Sequence, residues 1–381
     1  MRRKKLKLSA VLLAGLMAIS MTACGSNSED TSGSASDATS ETGTETADSD
    51  ISVGIVLKTA TNSHFKDMAY GAVMAGQELG ITVKVDNTTT ETDVDGQITK
   101  CENLISSGID ALILTANDSS GETQAVQAAH DAGIPFVTVD TEIDNVWGDD
   151  VSEYMPNFIG TDYEEIAYNL AISVIEKLGG EGNVVVIRGV DSASSSQQRT
   201  TGVERAIAEY DGIVEIDSQS ANYDQDEAVS TMSDIIQAHT SESIDAVICL
   251  NDLMAVGVIT ALEENGLVAG EDGTIVVGLD GNLVALQQVE EGKLYADSYD
   301  YAILQGYYAV MQAYALIQGE EVPEITYSPD VLVTQENVDE YMDHAEELSA
   351  WSMSGTIDEI PDFMWDFLET GKEYEVTQAA D

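Results

Sequence analysis

Basic residues are scarce in this sequence, which carries 15 lysines and arginines against 69 aspartates and glutamates over 381 residues. The formal net charge is −54 at pH 7, and five of the basic residues lie within the first seven positions. Binding to nucleic-acid phosphates requires a cationic surface, which this chain does not offer. The composition therefore excludes nucleic acid as a partner. Since so high a charge also causes self-repulsion, we expect a monomer.

Cysteine is also rare, with three residues in the chain and no Cys-x-x-Cys pair. Cys101 and Cys249 are far apart and lie in apolar segments, so we expect two buried free thiols rather than a disulfide framework or a zinc site. The four histidines show no metal-ligand spacing, and the glycine-rich phosphate-binding pattern of P-loop proteins is absent. We therefore predict neither a metal nor a cofactor.

Two short motifs suggest other functions but are incomplete. Residues 63–66 fit the Ser-x-x-Lys pattern of penicillin-recognising enzymes, but the Ser-Asp-Asn and Lys-Thr-Gly segments of such a site are missing. Residues 91–102 approach a calcium-binding loop, but this loop begins with Glu91 instead of aspartate, and a helical apolar stripe follows. Asp93 or Asp95 is better interpreted as the cap of that helix. The sequence predicts a protein that is not an enzyme.

One hydrophobic run, Leu8–Ile19, follows the basic N-terminal stretch and is too short for a comfortable membrane span. This pattern is typical of an export signal peptide. Residues 20–24 resemble a bacterial lipobox with Met21 in place of the usual leucine, which implies removal of residues 1–23 and attachment of lipid to Cys24. An ordinary cleavage site beside an incidental cysteine is the alternative.

Residues 25–50 contain seven acidic residues and no large apolar side chain. Such a segment buries too little surface to offset its ordering entropy, so we expect it to be disordered and extended. Together with the lipobox, this composition predicts an extracytoplasmic protein that is anchored to the cell membrane by lipid, through a flexible linker over residues 24–50.

From Ile51 onward, short apolar runs alternate with helical apolar patterns. The run Val53–Leu57 precedes a helical pattern over Phe65–Leu79, and the alternation continues to Ser298 with one break at residues 144–156. Continuous apolar strands between amphipathic helices indicate parallel strands that are covered on both faces. Two successive units of this kind predict an α/β fold with two doubly wound parallel-sheet lobes.

Polar and aromatic residues follow the apolar runs, at the carboxyl ends of strands where open parallel sheets bind ligands. These residues are Lys58, Asn62, His64, Phe65, Thr115, Asp140, Arg199, Tyr223, Asn251, Asp280 and Asp300. Carboxylates accept the protons of hydroxyl groups, arginine and asparagine donate to their oxygens, and aromatic rings offer flat apolar faces to C–H surfaces. The set is suited to a neutral polyhydroxylated ligand.

Several of these segments resemble the type I periplasmic sugar-binding proteins, of which ribose-binding protein is typical, over residues 51–334. The matching motifs are Asn62–Phe65, where the family has Asn-Pro-Phe-Phe, and Gly108–Leu114, Ala132–Asp140, Gly160–Asp162, Arg199–Gly202, Leu250–Gly257 and Val277–Gly281. The resemblance implies two lobes joined by a hinge of three chain crossings. Binding roles are implied for Asn62, Phe65, Asp140, Arg199, Asn251 and Asp280, and also for Thr115, Tyr223 and Asp300.

The chain also departs from the ribose-binding pattern. Thr141 follows Asp140 where ribose binders have arginine, and Lys58 stands where a small hydroxyl residue is frequent. His64 replaces an aromatic residue, and Asp300 replaces a glutamine. Ribose is therefore not expected to be the best ligand. Lys58 leaves open an acidic or phosphorylated sugar, although pairing with a neighbouring aspartate is the commoner arrangement for a lysine.

Several of these residues also fit purely structural roles. Asp224 and Asp252 are placed where aspartate caps a helix, and Arg199 could form a surface ion pair with Glu204. We favour a ligand role for Arg199, because basic residues are scarce in the second unit.

The resemblance also implies the domain organisation and the function. One lobe would comprise residues 51–159 and 301–325, and the other residues 160–300 and 326–381 with a C-terminal extension over residues 335–381. We expect this extension to pack across the back of a lobe, with docking to a membrane partner as the alternative. The expected function is capture of a sugar or polyol for delivery to an ABC permease. A sugar-sensing subunit for a signalling kinase and a lipoprotein hydrolase are the alternatives.

Overall fold

The computed structural model describes residues 51–144, 154–155, 157–351, 353, 357 and 359–378. The predicted signal peptide, Cys24 and the predicted linker lie outside the described residues. Within the described ranges, no helix is both long enough and apolar enough to cross a membrane.

Strands and helices alternate along the first half of the described chain. The elements are β1 (Ser52–Thr59), α1 (Ser63–Leu79), β2 (Thr82–Thr88), α2 (Val94–Ser106), β3 (Ala111–Leu114), α3 (Thr123–Ala132), β4 (Phe136–Val139), β5 (Phe158–Gly160), α4 (Tyr163–Leu178), β6 (Glu181–Arg188) and α5 (Ser194–Ala208). Helix α1 is capped at both ends: the Asn62 side chain accepts from the His64 backbone amide ahead of the helix, and the helix ends at Gly80 in the left-handed conformation.

The alternation continues through the second half. The elements are β7 (Gly212–Ser220), α6 (Gln225–Ala238), β8 (Ala246–Cys249), α7 (Asp252–Glu264), β9 (Ile275–Leu279), α8 (Leu283–Glu290), β10 (Ala296–Tyr299), α9 (Ala302–Ile317), β11 (Ile325–Tyr327), β12 (Val331–Val333), α10 (Asp339–Ala350) and α11 (Asp362–Gln378). Strands β8 and β9 are fully buried, as covered parallel strands should be. Cys101 and Cys249 are buried and unpaired, which confirms the expectation of two free thiols.

The strands form two six-stranded sheets. The first has the order β11-β5-β4-β3-β1-β2, and its neighbouring strands are parallel. The second has the order β12-β10-β9-β8-β6-β7 and is parallel except for β12, which runs antiparallel to β10. The predicted α/β class with two parallel-sheet lobes is confirmed, with β12 as one antiparallel edge strand.

The chain passes between the two sheets three times, after β5, after β10 and after β11. A buried glutamine, Gln305, joins the three crossing segments. Its Nε2 lies 3.1 Å from Thr161 Oγ1 and 3.2 Å from Ser328 Oγ. The Ser328 hydroxyl in turn donates to the Asp300 carbonyl oxygen at 3.0 Å. These bonds hold the crossings at one place, which is the geometry that a hinge requires.

The C-terminal extension contacts helices of both sheets. Helix α10 packs against α1 and α8, and α11 packs against α9, which lies on the first sheet. The sequence predicts that residues 326–381 belong to the second lobe, whereas β11 pairs through Tyr327 with the first sheet and α11 buries Met364 and Leu368 fully. The apolar face of α11 packs against α9. The sequence of α11 alone does not show which helix it contacts.

Candidate ligand-binding site

Residues from both sheets line one small cavity of about 10 Å³, which has space for about one water molecule. The cavity is lined by Lys58, Asn62, His64, Phe65, Glu91, Asp140, Ser195, Arg199, Tyr223, Asn251 and Asp280. Nine of the eleven ligand-binding residues singled out from the sequence are in this group. They converge because parallel strands end at the same edge of each sheet, and the two edges face one another.

Lys58, at the end of β1, is a buried cation between two carboxylates. Its Nζ lies 3.5 Å from Asp140 Oδ1 and 3.9 Å from Glu91 Oε2. Burial disfavours the charged amine, but Asp140 and Glu91 outweigh it and raise the pKa of Lys58 above its usual value. Lys58 is therefore charged and paired with carboxylates. In the sequence, such pairing is the alternative to binding an acidic or phosphorylated sugar.

His64 lies among three carboxylates. Its Nε2 is 3.2 Å from Asp140 Oδ2, and its Nδ1 is 3.3 Å from Asp300 Oδ1. Burial acts against protonation, but Asp300, Asp140 and Asp280 together raise the pKa of His64 well above its usual value. The imidazolium can then donate through both nitrogens, so it orders the carboxylates around the cavity.

Asp140 is the most heavily bonded acceptor of the cavity. The Tyr163 hydroxyl donates to its Oδ2 at 2.7 Å, and the Thr141 hydroxyl donates to its Oδ1 at 2.6 Å. Burial opposes ionisation, but Lys58 and His64 hold the pKa of Asp140 far below its usual range. Asp140 also has a φ of 65°, a left-handed conformation that costs energy for a residue other than glycine and that clusters at ligand sites.

Arg199 supplies the cation of the second sheet. It is buried in α5, and its Nη1 donates to the Leu250 carbonyl oxygen at 2.7 Å and lies 3.6 Å from Asp280 Oδ1. Its guanidinium stacks over the Tyr163 ring at 4.4 Å from the ring centroid. The alternative of a surface ion pair with Glu204 is wrong, because the side chain turns inward to these partners.

Direct hydrogen bonds join the two lobes at the cavity. Asn62 Nδ2 donates to Asp280 Oδ2 at 3.1 Å, and Asn282 Nδ2 donates to Asn62 Oδ1 at 3.0 Å. The Ser63 hydroxyl also bonds to Asn282. Burial raises the pKa of Asp280 to about 6, although His64 and Arg199 favour its ionised form. The side chains that hold the lobes together are therefore the same ones that line the cavity.

Two predicted residues are not part of the cavity lining. The Thr115 hydroxyl is fully buried and donates to Met68 Sδ at 3.4 Å, so it faces the core of the first lobe. Asp300 is fully buried, and its Oδ1 lies 3.3 Å from His64 Nδ1, so it contacts a lining residue instead of lining the cavity itself. Asn251 lines the cavity but also caps α7, because its Oδ1 accepts from the Met254 amide at 3.0 Å, which leaves its amide nitrogen for a ligand.

Sequence reasoning missed two lining residues, Glu91 and Ser195. Glu91 was considered only as a calcium ligand, although it follows β2 in the same way that the other candidates follow their strands. Burial raises the pKa of Glu91 to about 7, against the opposing effect of Lys58. Ser195, in the first turn of α5, shares a hydrogen bond of 3.0 Å with the Thr141 hydroxyl.

Two of the aspartates that the sequence suggests as helix caps are caps in the structure. Asp93 Oδ1 accepts from the Gly96 amide at 3.1 Å and caps α2, as proposed in place of a calcium loop. Asp224 Oδ1 accepts from the Glu227 amide at 2.9 Å and caps α6. Asp252 is not the cap of α7; its Oδ2 instead accepts from the Asn282 amide at 2.6 Å. In the described part of the chain, no three His, Cys, Asp or Glu side chains are grouped as metal ligands would be.

The sequence of this chain is similar to a protein family and to several characterised proteins. The family model described as "Periplasmic binding protein domain" matches residues 53–321. A ribose import binding protein of Bacillus subtilis is 27% identical over 286 residues, covering 75% of this chain and 88% of the relative. A xylitol-binding protein of Mycolicibacterium smegmatis is 26% identical over 344 residues, covering 89% of this chain and 88% of the relative.

A solved structure shows the same fold. It is an ABC transporter periplasmic solute-binding protein from Actinobacillus succinogenes with bound D-allose. This chain is 30% identical to it, with a TM-score of 0.70, and the match covers 76% of this chain and all of the other.

Proposed function

The chain belongs to the periplasmic binding protein family, and from that membership we propose that it captures a neutral sugar or polyol between its two lobes and delivers it to an ABC permease. The observation that carries the proposal is the convergence of buried acceptors and donors from both lobes on a single cavity. A ligand that contacts both lobes stabilises the closed arrangement, which is the signal that a transporter can recognise.

The chemistry of the cavity supports a polyhydroxylated ligand. Asp140 and Asp280 accept the protons of hydroxyl groups, while Arg199 and Asn62 donate to their oxygens. Phe65 adds an apolar ring that fits the C–H face of a sugar. Alternating donors and acceptors on rigid strand ends discriminate between stereoisomers, because a displaced hydroxyl leaves a buried partner unsatisfied.

The charge of the cavity supports a neutral ligand over an acidic or phosphorylated one. Lys58 is held between Asp140 and Glu91, and Arg199 lies beside Asp280. An anionic ligand at these cations would face their buried carboxylate partners at short range, and that repulsion is weakly screened in a buried site. A neutral ligand meets no such opposition.

Binding requires the lobes to separate first. The cavity of about 10 Å³ is much smaller than a monosaccharide, and Asn62 and Asp280 bridge its two sides. The three crossings joined by Gln305 are the place where rotation of one lobe relative to the other would occur. The ligand then replaces cross-lobe hydrogen bonds with its own.

The proposed location is outside the cytoplasm, with the chain tethered by lipid at Cys24. Its support is the lipobox-like segment and the acidic linker that follows, together with the family. A Cys24→Ser variant should accumulate as uncleaved precursor or appear in the medium. Cell fractionation that shows the variant membrane-bound and equal in size to the wild type would contradict the anchor.

A thermal denaturation screen tests the proposed function. The protein should be unfolded, dialysed and refolded to remove ligand from its host, then heated with pentoses, hexoses, inositols, linear polyols, sugar acids and sugar phosphates. A ligand at a hundredfold excess over Kd stabilises the fold by about 2.7 kcal/mol, which moves the midpoint by several degrees. We expect a shift with one narrow stereochemical group of neutral compounds. No shift with any carbohydrate, together with a clear one from amino acids or nucleosides, would contradict the proposal.

A further inference from the structure

A second pocket of about 100 Å³ adjoins the cavity described above. Five threonines of the first lobe, at positions 59, 61, 89, 90 and 92, form one side of it. Asn222, Asp224 and Glu227 of the second lobe form the other side. This pocket, called the outer pocket below, therefore lies between the lobes and has room for several water molecules. Its volume is ten times that of the cavity described above, which is called the inner cavity.

Glu91 and Tyr223 line both the inner cavity and the outer pocket. Their exposed fractions are 7% and 4%. Glu91 Oε1 and the Tyr223 hydroxyl have no hydrogen-bond partner among the described residues. A buried polar atom without a partner costs about 1–3 kcal/mol, so a group that bonds to either atom gains binding energy. One acceptor, Glu91 Oε1, and one donor, the Tyr223 hydroxyl, are therefore available to a ligand where the two cavities meet.

The charge of the outer pocket restricts what it can bind. Glu91, Asp224 and Glu227 contribute carboxyl groups, and no lysine, arginine or histidine is among the described residues that line it. A carboxylate or phosphate on the ligand would meet only like charge there. Hydroxyl groups suit the threonines, which both donate and accept, and an amine suits the carboxylates.

We propose that the outer pocket is a second subsite, which holds a hydroxyl- or amine-bearing substituent of the sugar bound in the inner cavity. This inference rests on the proposed function, since it places the sugar ring in the inner cavity. The physiological ligand is then a substituted sugar, such as a glycoside with a short polar arm, and the free monosaccharide occupies only part of the site.

A series of synthetic glycosides tests the subsite. For the neutral sugar that binds best in the thermal screen, Kd is measured by titration calorimetry for the free sugar and for its 2-hydroxyethyl, 2-aminoethyl and carboxymethyl glycosides in both anomeric forms. We expect one anomer of the hydroxyethyl and aminoethyl glycosides to bind about tenfold more tightly than the free sugar. The carboxymethyl glycoside of that anomer should bind at least tenfold more weakly than the hydroxyethyl glycoside.

A filled pocket provides the second arm of the experiment. Thr90 is exposed and lines only the outer pocket, so Thr90→Trp should occupy that space and remove the preference for the arm-bearing glycosides. Thr99→Trp, at an exposed position of α2 outside either cavity, is the matched control and should keep the wild-type preference.

The possible outcomes separate the two proposals. If the free sugar binds but all three glycosides bind more weakly in both anomeric forms, the subsite proposal is wrong and the sugar-binding function stands. If Thr90→Trp weakens the free sugar and the glycosides by the same factor, the outer pocket is only an entrance, and the subsite is again wrong. If no sugar and no glycoside binds, the proposed function itself fails, and the subsite fails with it.

Discussion

Each cationic side chain that lines the inner cavity lies beside a carboxylate. Lys58 lies beside Asp140, and Arg199 lies beside Asp280. Removing one member of a buried pair leaves the other uncompensated, which costs several kcal/mol. Binding and stability are therefore coupled at this site, and every variant requires both measurements. For the proposed sugar ligand, the same pairing should give selectivity, because a ligand hydroxyl must fit bonds whose geometry is already fixed.

Loss of the Arg199 guanidinium should weaken ligand binding. Hydrogen bonds to charged groups contribute about 1.5–3 kcal/mol, so Arg199→Ala should raise the Kd of the best sugar by about ten- to a hundredfold. Titration calorimetry gives the affinity, and urea unfolding shows whether the variant is folded. Arg188→Ala is the control, because Arg188 belongs to the same lobe but bonds to Ser218 and Asp191. An Arg199→Ala protein that is folded and binds like wild type would contradict the assignment.

Burial of Glu91 should make the stability of the protein depend on pH. In the folded chain burial raises the pKa of Glu91 to about 7, from an ordinary value of 4.5. A raised pKa contributes stability that is complete below the unfolded value and is lost as the pH rises through the folded value. At about 1.4 kcal/mol for each pKa unit, this loss reaches about 3 kcal/mol by pH 8.

A Glu91→Gln variant lacks this titration. Its free energy of unfolding, measured with urea at several pH values from 4.5 to 8, should therefore rise relative to wild type across that window. Glu102→Gln, at an exposed position of α2, should track the wild type at every pH. A difference between Glu91→Gln and wild type that stays constant with pH would contradict the buried, proton-linked state of this carboxyl group.

Among the elements, α1 and α9 make the closest helix contact of the first lobe. A Cβ added to Gly71 would lie 1.9 Å from the Ile303 carbonyl oxygen, and one added to Gly306 would lie 1.8 Å from the Met68 carbonyl oxygen. The two backbones therefore touch through a pair of glycines. Helix α1 carries His64 and Phe65 at its start, so this contact also sets the position of these two residues in the cavity lining.

A methyl group at this crossing should force the two helices apart. In an exposed helix, glycine to alanine is normally stabilising by about 0.5–1 kcal/mol. Gly306→Ala should instead lower the free energy of unfolding by about 3 kcal/mol, because a backbone carbonyl cannot yield as a side chain does. Gly319→Ala, just beyond the same helix, meets no atom within 4 Å and should cost about 1 kcal/mol for its left-handed φ. Urea unfolding of both proteins checks the order; equal costs would contradict the close contact.

At the scale of the whole molecule, the C-terminal helices brace the region where the chain crosses between lobes. The Tyr299 hydroxyl hydrogen-bonds to Asp67 Oδ2 at 2.7 Å and to His344 Nε2 at 3.0 Å, which joins the second sheet to α1 and α10. Phe367 of α11 stacks on the His344 ring at 3.8 Å between centroids and on the Tyr301 ring at 5.3 Å. The family match ends at residue 321, before α10 and α11 begin.

Truncation of Phe367 should destabilise the entire protein. Phe367→Ala removes these two stacking contacts, together with edge contacts to Tyr299 and Tyr341, and should lower the free energy of unfolding by about 2 kcal/mol. The loss is smaller than for a fully buried phenylalanine because the side chain is half-buried. Phe363→Ala in the same helix is the matched control: Phe363 is 40% exposed, and its loss should change stability by less than about 0.5 kcal/mol. Equal effects in urea unfolding would show that α11 does not brace this region.

Local patterns in the sequence suffice to predict the fold class and most of the residues that line the inner cavity. Alternation of apolar runs with helical patterns specifies covered parallel strands, and such strands end at one edge of a sheet whatever the rest of the chain does. Asp140, Arg199 and Asp280 could therefore be placed together from their positions after strands or at a helix start. Asp93 as the cap of α2 was predictable for a similar reason, because the cap and its helix are neighbours in the sequence.

The pairing of these side chains depends on contacts between residues that are distant in the sequence. Lys58 meets Glu91 and Asp140 across intervals that no local period spans, so the sequence suggests that Lys58 is paired but does not identify its partners. Thr115 follows a strand as several cavity-lining residues do, yet its hydroxyl turns to Met68. The face of α11 that covers α9 is apolar in the sequence, but its partner is chosen by packing between distant elements. Local patterns fix which elements form and where they end; contacts between distant elements fix which side chains meet.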